Sequence, residues 1–130
     1  EQQGWGFWAV ELKSEQRLIG MTGLHSQPDQ FSFSPCTEIG WRLNKDYWGQ
    51  GYATEAAQLA LSFAFQTLNL KEVVAFTASI NHPSQAVMKR LGMLYQQEFL
   101  HPALTAESIL QKHVLYSIHQ HDFNSDVCIA

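Results

Sequence analysis

Two glycines, Gly49 and Gly51, stand in YWGQGYATEA (Tyr47–Ala56), immediately ahead of an alanine-rich run. A glycine turn that opens into a helix can hold a small anion. The first N–H groups of a helix have no partner within it, and the macrodipole leaves partial positive charge there. Glycines keep side chains out of the way of a phosphate approaching those amides. A plain tight turn would use the same residues, and a lone GxG does not choose between the two. Two familiar phosphate loops fit poorly. A GxxxxGK[ST] loop needs a lysine after the glycines, and none follows. A GxGxxG loop needs a small third residue where Thr54 stands, and a βαβ opening where this chain opens with an apparent hairpin. Glu55 complements the helix dipole from the first turn and needs no chemical role.

Other side chains could move protons. Glu38 lies in TEIGWRL (Thr37–Leu43), where strand alternation sets it on the face opposite Ile39. A carboxylate there could relay a proton through water, although an exposed strand glutamate would look the same. Glu98, His25 and His101 are alternatives. Ser84 opens SQAVMKRL, where its hydroxyl suits an N-cap. His119 and His121 share one face of an expected strand, a spacing that could bind a metal. No third ligand is evident, so a polar strand end is expected there and no metal. Cys36 and Cys128 form no CxxC pair and read as two idle thiols in a reducing, cytoplasmic setting.

The elements that position these residues follow from periodicity. Gly6–Leu12 and Arg17–Leu24 are spaced as a hairpin, and Ser26–Pro35 reads as a polar loop. Thr37–Leu43 is a third strand, interrupted by Gly40. Ala53 to Leu68 has helical spacing with most positions apolar, which predicts a largely buried helix. Lys71–Ser79 predicts a central strand, Asn81-His82-Pro83 a break, and Ser84–Leu91 a short helix stopped at Gly92. Strands around Met93–Phe99 and Lys112–His119 complete the order β-β-β-α-β-α-β-β. That order is a mixed α/β (α+β) sheet, expected as a single domain over 1–130.

Composition narrows the partners. The 130 residues are 45% hydrophobic with a formal net charge of −4 and only eight Lys and Arg, which argues against a nucleic acid partner. No apolar run reaches the roughly 18 residues of a membrane span. A single small anion is still compatible, because backbone amides hold it without net positive charge. Gly40 adds a clue, since a glycine inside a strand marks a bulge or a close backbone approach. A ligand with an amide-bearing arm and a pyrophosphate would pair with that strand and end on the helix start. Coenzyme A fits that description.

TEIGWRLNKDYWGQGYATEA, the Asn81-xx-Ser84 break and KRLGM together resemble the GNAT superfamily of acetyltransferases. WGQGYATEA looks like the branch that contains the ribosomal-protein N-terminal alanine acetyltransferases. The family signature [Q/R]xxGx[G/A] reads here as Trp48, Gly49, Gln50, Gly51, Tyr52 and Ala53, with Trp48 departing from the general form. The resemblance implies a mostly antiparallel sheet with a splayed strand pair. It also implies acetyl-coenzyme A as co-substrate, with its pyrophosphate on the amides from Gly49 to Thr54. Trp41, Arg42 and Leu43 would pair through their backbone with the pantetheine arm, Asn81 would reach it from the other side, and Ser84 would stand near the sulfur. The amine acceptor would be a protein N-terminus or a small molecule, with Glu38 as the first choice of base. Many relatives carry an acidic tyrosine where Met88 stands, so a catalytically silent coenzyme-binding module and an interaction domain are the competing readings. Relatives open with a strand and two helices that wall the acceptor site, ahead of the hairpin at Trp5–Leu24. A homodimer is therefore expected, its partner covering Trp5, Phe7, Trp8, Phe31 and Phe33.

Overall fold

Alternating apolar residues draw the first half of the chain into strands β1 (Phe7–Leu12), β2 (Arg17–Gln27) and β3 (Cys36–Leu43). The computed structural model describes residues 7–12, 17–27, 33, 36–105 and 108–123. Helix α1 (Tyr52–Ser62), strand β4 (Glu72–Ala78), helix α2 (His82–Arg90), and strands β5 (Leu94–Leu100) and β6 (Lys112–His119) follow. The six strands lie in the order β1-β2-β3-β4-β6-β5. Every neighbouring pair is antiparallel except β3 and β4, which run parallel and share one register pair, Glu38 with Val74. This is the mixed, mostly antiparallel sheet with a splayed pair that the sequence led us to expect.

Both helices pack on one face. Ala57 and Leu61 of α1 and Val87 and Met88 of α2 join Ile39, Val73, Ala75, Val114 and Tyr116 in a single buried cluster. Small alanines on α1 and just beyond its end keep the backbone close to the sheet, so Ala57, Ala60 and, past the helix, Ala64 are almost completely buried. Alternation puts Glu38, Gly40, Val74, Phe76, His113 and Leu115 on the other face. That face is covered at its centre within this chain, where Val74 and Leu115 are 5% and 4% exposed. Phe33, counted among residues for a partner, instead packs edge-on against Phe76 and Phe99 at 5.8 and 5.1 Å. Trp5 and Phe31 lie outside the described residues, as do the side chains of Phe7 and Trp8 and the whole of Cys128.

Four further expectations change. Gly40 makes no bulge: β2 and β3 stay in register from Gly20–Leu43 to Gln27–Cys36. The gap beside β3 comes from divergence from β4, and the Thr22 hydroxyl donates to the Gly40 carbonyl at 2.9 Å. The long helix is two pieces, because after Ser62 the chain widens into a π-turn over Phe63–Thr67, with Leu68 N–H donating to Phe63 C=O at 3.0 Å. Ser84 is not the N-cap of α2. Asn81 is, because its side-chain oxygen accepts from Ser84 N–H at 3.2 Å, and Pro83 then occupies an early helical position that needs no donor. Finally, β6 ends at His119, and His121 falls in a 3₁₀ turn, Gln120–Asp122, so the two histidines do not share a strand face. Gly92 does turn left-handed, at φ 89°, and stops α2 as expected. Among the described residues, no helix is long and apolar enough to cross a membrane.

Gly20 has a role that periodicity does not announce. It faces Leu43 across the β2–β3 ladder, and a Cβ at this position would overlap the Arg42 carbonyl oxygen. Backbone cannot swing aside as a side chain would. Gly20→Ala is therefore expected to destabilise the fold by about 1–3 kcal/mol. Urea unfolding of the two proteins measures this, and an unchanged midpoint would show that β3 shifts freely.

Candidate active site

The parting of β3 from β4 opens a cleft of about 470 Å³, floored by Gly40, Trp41 and Leu43 on one side and by Phe76, Thr77 and the start of α2 on the other. Its far end is the turn into α1. Gly49 and Gly51 sit at φ 79° and 82°, left-handed values that residues with a Cβ rarely adopt. Gly51 is the N-cap of α1, and no side chain caps the helix. The first backbone bond of α1 is Glu55 N–H to Gly51 C=O at 2.9 Å, so the amides of Tyr52, Ala53 and Thr54 are its unused donors. Among the described residues, the Thr54 hydroxyl is the buried side-chain group without a hydrogen-bond partner. Free amides, an orphan hydroxyl, and Arg42 and Arg90 on the cleft wall form a donor set suited to a polyphosphate.

Tryptophans pin the walls. The Trp48 indole donates to the Leu43 carbonyl at 2.9 Å, tying the glycine turn to the end of β3. The Trp41 indole crosses from β3 to α2 and donates to Ser84 Oγ at 3.1 Å. Glu38 is half-buried on the opposite face, beside Val74 where the strands begin to part, and it too lines the cleft. One opening is thus bounded by residues from both faces of the sheet.

Nearly all the sequence-predicted residues meet here. Trp41, Arg42, Leu43, Trp48, Gly49, Gly51, Tyr52, Ala53, Thr54, Asn81, Ser84 and Glu38 line the cleft, whereas Gln50 is exposed and does not. Of the alternative bases, Glu98 faces Lys112 at 3.9 Å on edge strand β5, and His25 is exposed on β2 opposite Glu38. His101 packs at a tilt against His113, ring centroids 4.9 Å apart, and edge-on to Phe76 at 6.4 Å. Burial, and secondarily the neighbouring His101, holds the His113 imidazole below the usual histidine pKa. His119 and His121 stack at 5.7 Å, and each faces a carboxylate, Glu72 and Asp122 respectively. Sequence reasoning missed Phe76, Thr77 and Arg90 as lining residues, since no local pattern distinguishes them from ordinary strand and helix positions. Met88, noted where relatives carry tyrosine, is on the wall and 1% exposed.

A parallel strand pair that parts beside a glycine-led helix start is the arrangement that frames this site, and known proteins share it. Residues 1–94 match the family model described as an acetyltransferase (GNAT) domain. The chain belongs to the GNAT acetyltransferase family. It is 38% identical over 84 residues to the uncharacterized N-acetyltransferase YnaD of Bacillus subtilis, covering 65% of this chain and 47% of that protein. It is 40% identical over 83 residues to the FsC-acetyl coenzyme A-N(2)-transacetylase of Aspergillus fumigatus, covering 63% and 35%. The chain thus spans about half or less of the length of these two relatives. Its fold superimposes on a GNAT-family acetyltransferase from Bacillus anthracis with a TM-score of 0.75 at 29% identity, covering 88% of this chain and 66% of that one. A ribosomal-protein-S5-alanine acetyltransferase from Vibrio fischeri shares the fold with a TM-score of 0.76 at 24% identity, covering 95% and 66%.

Gly51→Asp places bulk and negative charge at the mouth of the free amides, in a backbone conformation that disfavours a side chain. Calorimetry with acetyl-coenzyme A is expected to show no binding at concentrations that saturate the parent. Gly51→Asn, which shares the strain without the charge, should lose less. Parent-like affinity in the Asp variant would place the pyrophosphate elsewhere.

Proposed function

We propose that this chain transfers an acetyl group from acetyl-coenzyme A to a primary amine, first of all the α-amine of a peptide or protein N-terminus. The observation that carries the reading is the single cleft reached from both faces of the sheet. The coenzyme enters on the helix side, where the α1 amides take the pyrophosphate and Ser84 meets the sulfur. The amine enters on the side of Glu38 and Phe76, and the two meet where β3 and β4 part. Pantetheine amides pair there with the edge that β3 turns toward the gap. Family membership and the transacetylase name of one relative support acetyl-coenzyme A as donor.

The amine nitrogen bonds to the acetyl carbon, the carbon–sulfur bond breaks, and the coenzyme leaves as a thiolate that takes up a proton. The surplus proton of the amine passes through water to Glu38 and on to solvent. Neither demand is large for an N-terminal amine. With a pKa of about 7.7–8.0, holding it neutral at pH 7 costs only about 1 kcal/mol, against roughly 4.6 kcal/mol for a lysine near 10.4. Ordinary thiols titrate near 8.5, so the leaving group needs little acid help and Met88 is no obstacle. The competing reading is a coenzyme-binding module without turnover, in which the leaving thiolate does require an acid and Met88, apolar and buried, has no proton to give.

Coenzyme A release, measured against a panel of N-terminal peptides, lysine side chains and polyamines, separates these readings. Release with N-terminal amines at neutral pH supports the proposal. Binding without release to any acceptor supports the silent module. Glu38→Gln should lower turnover chiefly at low pH, where more of the amine is protonated, while coenzyme affinity holds. An unchanged pH–rate profile would remove Glu38 from the mechanism.

The homodimer belongs to the same proposal, on different residues from those first expected. Leu94, Tyr95 and Leu100 are more than half exposed along edge strand β5, where a second copy would bury them and pair the open edge. Light scattering at micromolar concentration is expected to give twice the chain mass. A monomer with no concentration dependence would end the dimer reading.

A further inference from the structure

We propose that Trp41 is a positioning residue that sets the direction of the Ser84 hydroxyl, so that Ser84 donates its proton toward the sulfur of the bound coenzyme. The inference rests on the acetyltransferase reading above and deepens it.

An indole N–H donates and cannot accept. In the 3.1 Å contact between Trp41 Nε1 and Ser84 Oγ, the serine oxygen is therefore the acceptor. A hydroxyl has one proton, and its oxygen's lone pair on that side is already engaged. Among the described residues, the Ser84 proton has no protein acceptor, and its backbone N–H is committed to Asn81 Oδ1. The oxygen is thus fixed from one side by β3 and from below by the helix cap, with its single donor left for the cleft that it lines. Without the indole, the same hydroxyl could rotate and present a lone pair to the sulfur, which repels a developing thiolate.

The placement follows from the fold. Trp41 stands two residues after Ile39, on the helix-side face of β3, and its ring packs against the buried cluster. That packing holds the indole plane while its N–H spans the gap to α2. The tie thus carries alignment from one arm of the splayed pair to the other, at the point where the thioester would lie. A phenylalanine at this position would keep most of the packing and lose only the donor.

Two measurements test the proposal, one of them independent of turnover. The first is the thiol titration of bound coenzyme A, followed by thiolate absorbance. A hydrogen bond to the thiolate lowers the thiol pKa. In Trp41→Phe and in Ser84→Ala, the midpoint should rise by about 0.7, and the double variant should show no further rise. The second is kcat, expected to fall about fivefold in Trp41→Phe with the acetyl-coenzyme A dissociation constant unchanged. In the Ser84→Ala background, where the loss stays under roughly a hundredfold, the tryptophan substitution should have no added effect.

An unmoved midpoint in Trp41→Phe, or losses that multiply fully in the double variant, would overturn the positioning role while leaving the acetyltransferase reading intact. Tighter coenzyme binding in Trp41→Phe would show the indole as a barrier across the cleft and overturn it as well. Absence of coenzyme binding by the parent protein would remove the acetyltransferase reading itself, and this inference with it.

Discussion

β3 and β4 are parallel neighbours that share one register pair and then part. A sheet that continued its ladder there would satisfy every backbone group and leave no opening. Parting exposes polar backbone, which is unfavourable unless water or a ligand replaces the missing strand. The site exists because the pairing is incomplete. The antiparallel ladders β1–β2–β3 and β4–β6–β5 on either side are long and in near-continuous register, and they hold the two arms rigidly enough for the gap to persist. The shared core beneath, with α1 against β2 and β3 and α2 against β4, keeps the arms from rotating independently.

Charge is concentrated locally rather than overall. The chain carries a net −4, yet the cleft gathers the unused amides of α1, the Thr54 hydroxyl, Arg42 and Arg90. A donor set built from backbone dipoles works at short range and does not attract long polyanions, because its field falls off within the first turn. A small pyrophosphate is therefore compatible with an acidic protein. The positive φ values of Gly49 and Gly51 are the conformational cost of presenting those amides, and glycine makes that cost small.

Indole donors supply the ties that an incomplete sheet lacks. Trp48 fastens the glycine turn to Leu43, and Trp41 fastens β3 to α2. Each uses a large apolar ring for packing and a single N–H for direction, so one residue provides both rigidity and alignment. Asn81 adds a tie as an acceptor: its side-chain oxygen caps α2 by accepting from Ser84 N–H, which fixes Ser84 in the first turn of the helix.

Much was legible in the sequence because it is local chemistry. Six strands and two helices in the right order follow from periodicity, and the helix start at Gly49–Thr54 follows from residue types whose φ preferences and missing side chains act within a few positions. What failed to be legible depended on neighbours distant in the chain. Gly40 suggested a bulge, since glycine in a strand has that local meaning, but the gap arises from where β4 lies. Ser84 has a cap's residue type, but Asn81, three residues earlier, takes that position. Gly20 looked ordinary, and only the approach of the Arg42 carbonyl gives it a purpose. Phe33 has the residue type of a partner-facing position, but Phe76 and Phe99 pack against it within this chain. Sequence alone determined the elements and the glycine-led helix start, because backbone propensity is short-ranged. The tertiary structure decided that Glu38 and Ser84, on opposite faces of the sheet, open onto one cleft, because only packing across the parted strands brings residues 46 positions apart to the same space.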